Sequence, residues 1–237
     1  EVCAVMSGRL LDWTAHLERL ARSMAALAII PPMSPQALAL VAHGLLRRNH
    51  ARDALLYIQV TRGVARRDHP FPRGGRSALV MTVRPFDFRQ RFAQQATGVR
   101  VITLPDERWR RCDIKSVALL PNVLAKQAAR SAGAFEAWLV GDDGTVREGS
   151  STNAWMVDAS GALRTHPPAP QILSGVMQAT LKRLASENGI AVEERAFTIE
   201  EARSAAELFL TSTTVPCLPV VALDEHTIGG GSPGPVT

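Results

Sequence analysis

Apolar positions along this chain recur with two different periods. A three-to-four spacing through Trp13, Leu17, Leu20, Met24 and Leu27 predicts an amphipathic helix with Asp12 as its N-cap. After the break at Pro31-Pro32, Ser34 followed by Pro35 predicts a second helix reaching about Arg48. Ahead of the first helix, Glu1 to Leu11 reads as a short strand with a turn at Ser7-Gly8. Two β-rich runs, Ala54 to Thr61 and Ser77 to Val83, predict a sheet that the two helices cover. The stretch from Arg84 is polar, contains a proline and lacks clear periodicity. It predicts a small α/β domain over residues 1–84, a linker over 85–95 and a larger α/β domain over 96–237.

In that second domain, Val99 to Leu104 reads as a strand, and a helical pattern begins at Ser116 with Val117, Leu120, Val123 and Leu124 on one face. Lys115 is thereby placed at a strand-to-helix junction, ordered on both sides, as a reactive amine requires. Phe135 to Val140 should pair with a strand at Val146 through the Asp142-Asp143-Gly144 turn, leaving Glu148 at the end of the second arm. A helix follows Ile172-Leu173-Ser174-Gly175 and stops at Asn188-Gly189. Thr198 and Glu201 form a capping box, and Glu207 to Thr213 is a strand that runs into hydroxyl residues. The fold class expected is α+β, a mixed α/β chain of two domains.

Composition narrows the function classes. Of 237 residues, 46% are hydrophobic and 21% charged, and no apolar run approaches the roughly 20 residues of a spanning helix. The expectation is a cytoplasmic protein with no membrane partner. Three scattered cysteines form neither a disulfide framework nor a metal spacing, so no metal is expected. The net charge of +5 raises a basic nucleic-acid-binding module as a reading from another class. Dispersed arginines and a single tyrosine, with no aromatic–basic interleaving, argue against it.

The segment CDIKSVALLPNVLAKQAA, Cys112 to Ala129, resembles the lysine segment of the fold-type IV pyridoxal-phosphate aminotransferases, most closely the D-amino acid branch. The likeness continues through TRGVARRDHPFP from Thr61, EGSSTN from Glu148, ILSGVM from Ile172, FLTSTT from Phe209 and the closing GPVT. It implies the two-domain fold of that family, with pyridoxal 5'-phosphate as cofactor and Lys115 as its Schiff-base lysine. By the same resemblance Arg19, in HLERL, clamps the cofactor phosphate and Glu148 faces the pyridine nitrogen. Ser151 orients the ring hydroxyl region and Leu173 packs on the ring. Backbone groups of Val176 and Met177, with the hydroxyls of Ser212 and Thr213, hold the phosphate. Where Met177 stands the family usually has a hydroxyl residue.

Arg67 and His69 resemble the substrate-carboxylate trap of the D-specific branch, supplied across the interface of a homodimer. That trap's usual third member, a tyrosine ahead of the first strand, is not in this chain, and the family's helix after GPVT is also absent, so both ends read as clipped. The resemblance implies ping-pong transamination of D-amino acids such as D-alanine with 2-oxoglutarate or pyruvate. L-branched-chain aminotransferase and 4-amino-4-deoxychorismate lyase are the alternatives within the same fold.

Overall fold

A computed structural model describes all 237 residues, which divide into two compact units, Glu1–Phe88 and Arg89–Thr237. In the first unit, β1 (Val2–Met6) and β2 (Arg9–Leu10) form a tight hairpin whose turn residues, Ser7 and Gly8, both have positive φ, as a two-residue hairpin turn demands. Helices α1 (Trp13–Ala26) and α2 (Pro35–Arg48) follow, then β3 (Ala54–Thr61) and β4 (Ala78–Pro85). The sheet is antiparallel in the order β2-β1-β3-β4. Leu20 and Met24 of α1 and Ala42 and Leu46 of α2 pack on Cys3, Val5, Leu56 and Ile58, so the helices cover the sheet as their periodicity predicts. Ser34 accepts a bond from the Ala37 N–H at 3.2 Å. Asp12 does not act as expected. It takes a left-handed conformation and its side chain makes no capping bond, so turn geometry alone starts α1.

Helix α3 (Phe88–Thr97) begins at the last residue of the first unit, where a linker over 85–95 was expected. Phe88 is buried against Ala4 and Leu55 and anchors the helix start, so the division falls between residues 88 and 89. The elements that follow are β5 (Val99–Pro105), α4 (Leu120–Ser131), β6 (Glu136–Val140), β7 (Val146–Gly149), β8 (Asn153–Val157) and β9 (Leu163–Thr165). The chain continues through α5 (Val176–Glu187), β10 (Val192–Glu194), α6 (Ile199–Arg203), β11 (Glu207–Ser212), β12 (Val215–Leu223) and β13 (His226–Thr227). They build a mixed sheet in the order β10-β9-β8-β11-β12-β5-β6-β7, with β13 on β12. Its largest core joins Trp138, Phe197, Leu208, Leu210, Leu218 and Leu223. The class is mixed helix and sheet, as the periodicities indicated.

Helix α4 departs from expectation in two ways. It starts at Leu120 instead of Ser116, with Pro121 in its first turn, where a missing N–H costs nothing. Its buried side is Ala125 and Ala129, packed on Ala137 and Leu139. Val117, Leu120, Val123 and Leu124, the apolar positions of the helical pattern, stand 72%, 70%, 58% and 58% exposed.

Candidate active site

Lys115 does not lie at a strand-to-helix junction. It sits in the irregular segment 106–119 between β5 and α4, half-buried. That segment is tied down on both sides of the lysine: the Asp113 N–H donates to the Pro170 carbonyl at 3.2 Å, and Ile114 is buried. Beyond it, Asn122 Nδ2 donates to the Ser150 carbonyl at 2.8 Å, joining the start of α4 to the turn after β7. These ties restrain the irregular backbone that carries the amine.

Glu148, on β7, is buried and forms the hub of this unit's polar groups. The Leu173 N–H donates to its two oxygens at 3.1 and 3.2 Å, and Asn153 Nδ2 donates to Oε2 at 3.2 Å. Asn153 also donates to the Leu173 carbonyl at 3.0 Å, locking β8 to the segment that leads into α5. Behind the carboxylate stands Arg108, which bonds Glu148 Oε1 through Nη1. Its Nε and Nη2 grip the two oxygens of Asp106, each at 2.9 Å, and Nη2 also reaches the Gln171 carbonyl at 3.0 Å. Burial pushes the Glu148 carboxyl up to about 7, against the pull of Arg108 and the Leu173 N–H. Burial also works against the Arg108 charge, but the Asp106 bonds and the Glu148 charge outweigh it and raise the Arg108 pKa. Arg108 belongs to an arginine-rich lead-in, and nothing in its spacing singles it out from Arg110 and Arg111.

Ser212 ends β11 and Thr213 lies in the two-residue turn to β12, where Ser212 Oγ and Thr214 Oγ1 are 3.2 Å apart. Thr211, one residue earlier, pairs with Asn153, so the strand register brings this hydroxyl turn to the same end of the sheet as Asn153. Val176 and Met177 are the first residues of α5, and N–H groups of a first turn have no carbonyl in their own helix to bond. Lys115, Glu148, Leu173, α5 and the β11–β12 turn are all in the second unit.

Ser151 lies in the turn between β7 and β8. Its hydroxyl donates to Glu136 Oε2 at 2.9 Å, and Ser150 and Thr152 turn to the same fully buried carboxylate. The three hydroxyls of the EGSSTN turn therefore fasten its backbone onto β6.

The other candidates are in the first unit. Arg19 is buried on α1, where its Nε and Nη2 hold the two oxygens of Glu1 at 3.0 and 2.8 Å, and His16 Nδ1 lies 2.8 Å from the same carboxylate. Burial acts to raise the Glu1 pKa, but His16 and Arg19 hold it far below the usual carboxylate range. The ion pair is what permits the burial of Arg19. Arg67 and His69 are exposed on the loop between β3 and β4.

A residue set of one amine, one sealed carboxylate, the N–H groups of a helix start and clustered hydroxyls suits a phosphorylated pyridine aldehyde: amine for the aldehyde, carboxylate for the ring nitrogen, N–H and O–H donors for the phosphate. The model of the family described as amino-transferase class IV matches residues 1–223. The chain belongs to the class IV aminotransferases. A D-alanine aminotransferase of Bacillus licheniformis is 41% identical over all of this chain and 82% of its own length. One of Staphylococcus aureus is 36% identical over all of this chain and 83% of its own. Among solved structures, an Escherichia coli branched-chain amino acid aminotransferase superposes with a TM-score of 0.91 at 21% identity, over all of this chain and 80% of that one. Pyridoxal phosphate is the cofactor of this class IV aminotransferase.

Proposed function

We propose that this class IV aminotransferase moves the amino group of D-amino acids such as D-alanine to a 2-oxo acid, 2-oxoglutarate or pyruvate, in two ping-pong halves. The observation that carries the reading is the 41% identity, over the full chain, to a protein named D-alanine aminotransferase. The cationic loop with Arg67 and His69 supports it, because a guanidinium and an imidazole hold one carboxylate from two directions and so fix which face of the amino acid is presented.

When bound, pyridoxal phosphate supplies a ring that accepts the electron pair left at the substrate's Cα. The chain's residues do the rest. Lys115 Nζ would take the proton from the substrate's Cα and give it up at the C4′ carbon of the cofactor, a task for a positioned amine. Glu148 offers its carboxylate to the ring nitrogen, with Arg108 and Asn153 fixing its direction. Leu173 packs on the ring. The N–H groups of Val176 and Met177 and the hydroxyls of Ser212 and Thr213 hold the phosphate, and Ser151 acts through the turn it stabilises. The guanidinium of Arg19 serves the phosphate in this scheme, its orientation set by Glu1.

Two copies form the working unit in this proposal. Val117, Leu120, Val123 and Leu124 present an apolar face on the protomer, and each copy's Arg67 and His69 reach the partner's substrate.

The test is turnover of the cofactor-loaded protein with D-alanine and with L-leucine in parallel, each against 2-oxoglutarate. Turnover with D-alanine is expected, and Lys115→Ala should abolish it while far-UV circular dichroism stays that of the parent. Activity with L-leucine alone, or a Lys115→Ala protein that turns over at the parent rate, would sink the reading.

A further inference from the structure

Arg62 stands where β3 passes into the loop that carries Arg67 and His69, and nothing above gives it a task. Its guanidinium reaches back to the end of α1, where Nη2 donates to the Leu27 carbonyl at 2.7 Å and Nη1 to the Ala28 carbonyl at 3.0 Å. Carbonyls just past a helix end lack partners within the helix, and the negative end of the helix dipole favours a cation there. The flat face of the same guanidinium lies on the Phe71 ring, carbon to centroid 3.7 Å. One side chain thus joins the end of α1 to the far arm of the loop.

The neck of the loop is closed as well. Gly63 has φ +91°, and a Cβ there would sit 2.1 Å from the Arg76 carbonyl oxygen, so the outgoing and returning backbones touch in a way only glycine permits. On the return arm Ser77 Oγ donates to the Ile30 carbonyl at 2.5 Å, fastening it to the same α1–α2 connection. The tip between these ties, with Arg66, Arg67 and His69, is exposed.

We propose that Arg62 is a positioning residue for the amino-acid substrate: held by the Leu27 and Ala28 carbonyls and covered by Phe71, it straps the 62–77 loop so that Arg67 and His69 meet the carboxylate in one prepared arrangement. This rests on the substrate role given to those two residues. A loop fixed before binding spares the substrate the cost of ordering it. A lysine cannot replace Arg62, since it has neither the forked donors nor the flat face.

The variants Arg62→Ala, Arg62→Lys and Arg67→Ala test this as holoenzymes. The readouts are steady-state kinetics with D-alanine and mass spectrometry of tryptic cuts after Arg66, Arg67 and Arg73. Arg62→Ala is expected to raise KM for D-alanine about tenfold with kcat within about twofold, the signature of lost binding without lost chemistry. The visible band of the cofactor stays as in the parent, and the cuts that remain possible come about fivefold faster as the loop loosens. Arg62→Lys follows Arg62→Ala in both readouts. Parent values of KM and of cutting rate in Arg62→Ala would overturn the strap, as would a fall in kcat at constant KM. Arg67→Ala separates the two ideas. An unchanged KM in that variant overturns the substrate role of the loop itself, whereas a raised KM there beside an unchanged one in Arg62→Ala overturns only the strap.

Discussion

Glu148 is pulled two ways: burial favours its neutral form and Arg108 its charged form, and burial prevails enough to lift its pKa from 4.5 to about 7. The consequence for stability has a definite sign. Below about pH 4.5 the carboxyl is protonated in both folded and unfolded chains. Between 4.5 and about 7 the folded chain keeps a proton that the unfolded chain has lost, so this group's contribution to stability falls as pH rises and is level above that window. Glu1 acts in the opposite sense, since a carboxylate held low contributes fully above its unfolded pKa and is lost as pH falls. We expect cofactor-free Glu148→Gln to gain on the parent protein steadily from pH 4.5 to 7 in urea midpoint. A constant difference across that range would refute the assignment. Lys115 and Glu148 were visible as candidates at this scale because they sit in dense family phrases. Arg108 was not, because its importance comes from Asp106, Glu148 and the Gln171 carbonyl converging on it, and two of those contacts span 40 residues or more.

Among the elements, the joint that positions the site is the entry to α5. Gly175 has φ −72° and ψ 135°, a conformation any residue adopts, so its value is spatial. A Cβ there would lie 1.9 Å from Asn153 Oδ1, and Asn153 holds both Glu148 and the Leu173 carbonyl. Gly175→Ala is expected to cost about 1–3 kcal/mol by overpacking and to weaken retention of pyridoxal phosphate on dialysis. Gly44→Ala, inside α2 with open space around its Cβ, is the control and should stabilise by about 0.4–1 kcal/mol. Denaturant titration of the two variants side by side decides the matter. Of the elements that sequence revealed, α1, α2 and β4 have one face on a core and the other towards solvent, which is what produces a period, whereas β3 is buried on both faces at its start and shows itself by its β-rich composition. Strand β8 is buried at every position and shows no alternation, and β12 carries Pro216 and Pro219, which argue against a strand until Phe209 is seen paired with Pro219. The start of α4 was misread because its apolar residues follow a helical period while facing away from the protomer's core.

That outward face sets the question for the whole molecule. An apolar stripe over Val117, Leu120, Val123 and Leu124 on a chain of net charge +5 marks an association surface more readily than a solvated one. In the proposed homodimer each loop serves the partner's site, and a mixing experiment tests assembly and loop exchange together. Lys115→Ala protomers keep an intact loop but lack the amine, and Arg67→Ala protomers keep the amine but lack the loop's guanidinium. Each alone is expected to transaminate D-alanine poorly. Refolded together in equal amounts, half of the dimers are hybrids, and each hybrid has one site with both an intact Lys115 and an intact Arg67 from its partner. Recovery to about a quarter of parent activity is therefore expected from two-fold symmetry alone. If the loop served its own protomer, every site in the hybrid would lack one group and mixing would recover nothing. Replacing Leu120 and Val123 by glutamate in both parents should abolish the recovery and yield a 25.6 kDa species on sedimentation, because both side chains face solvent in the protomer and their loss spares its core.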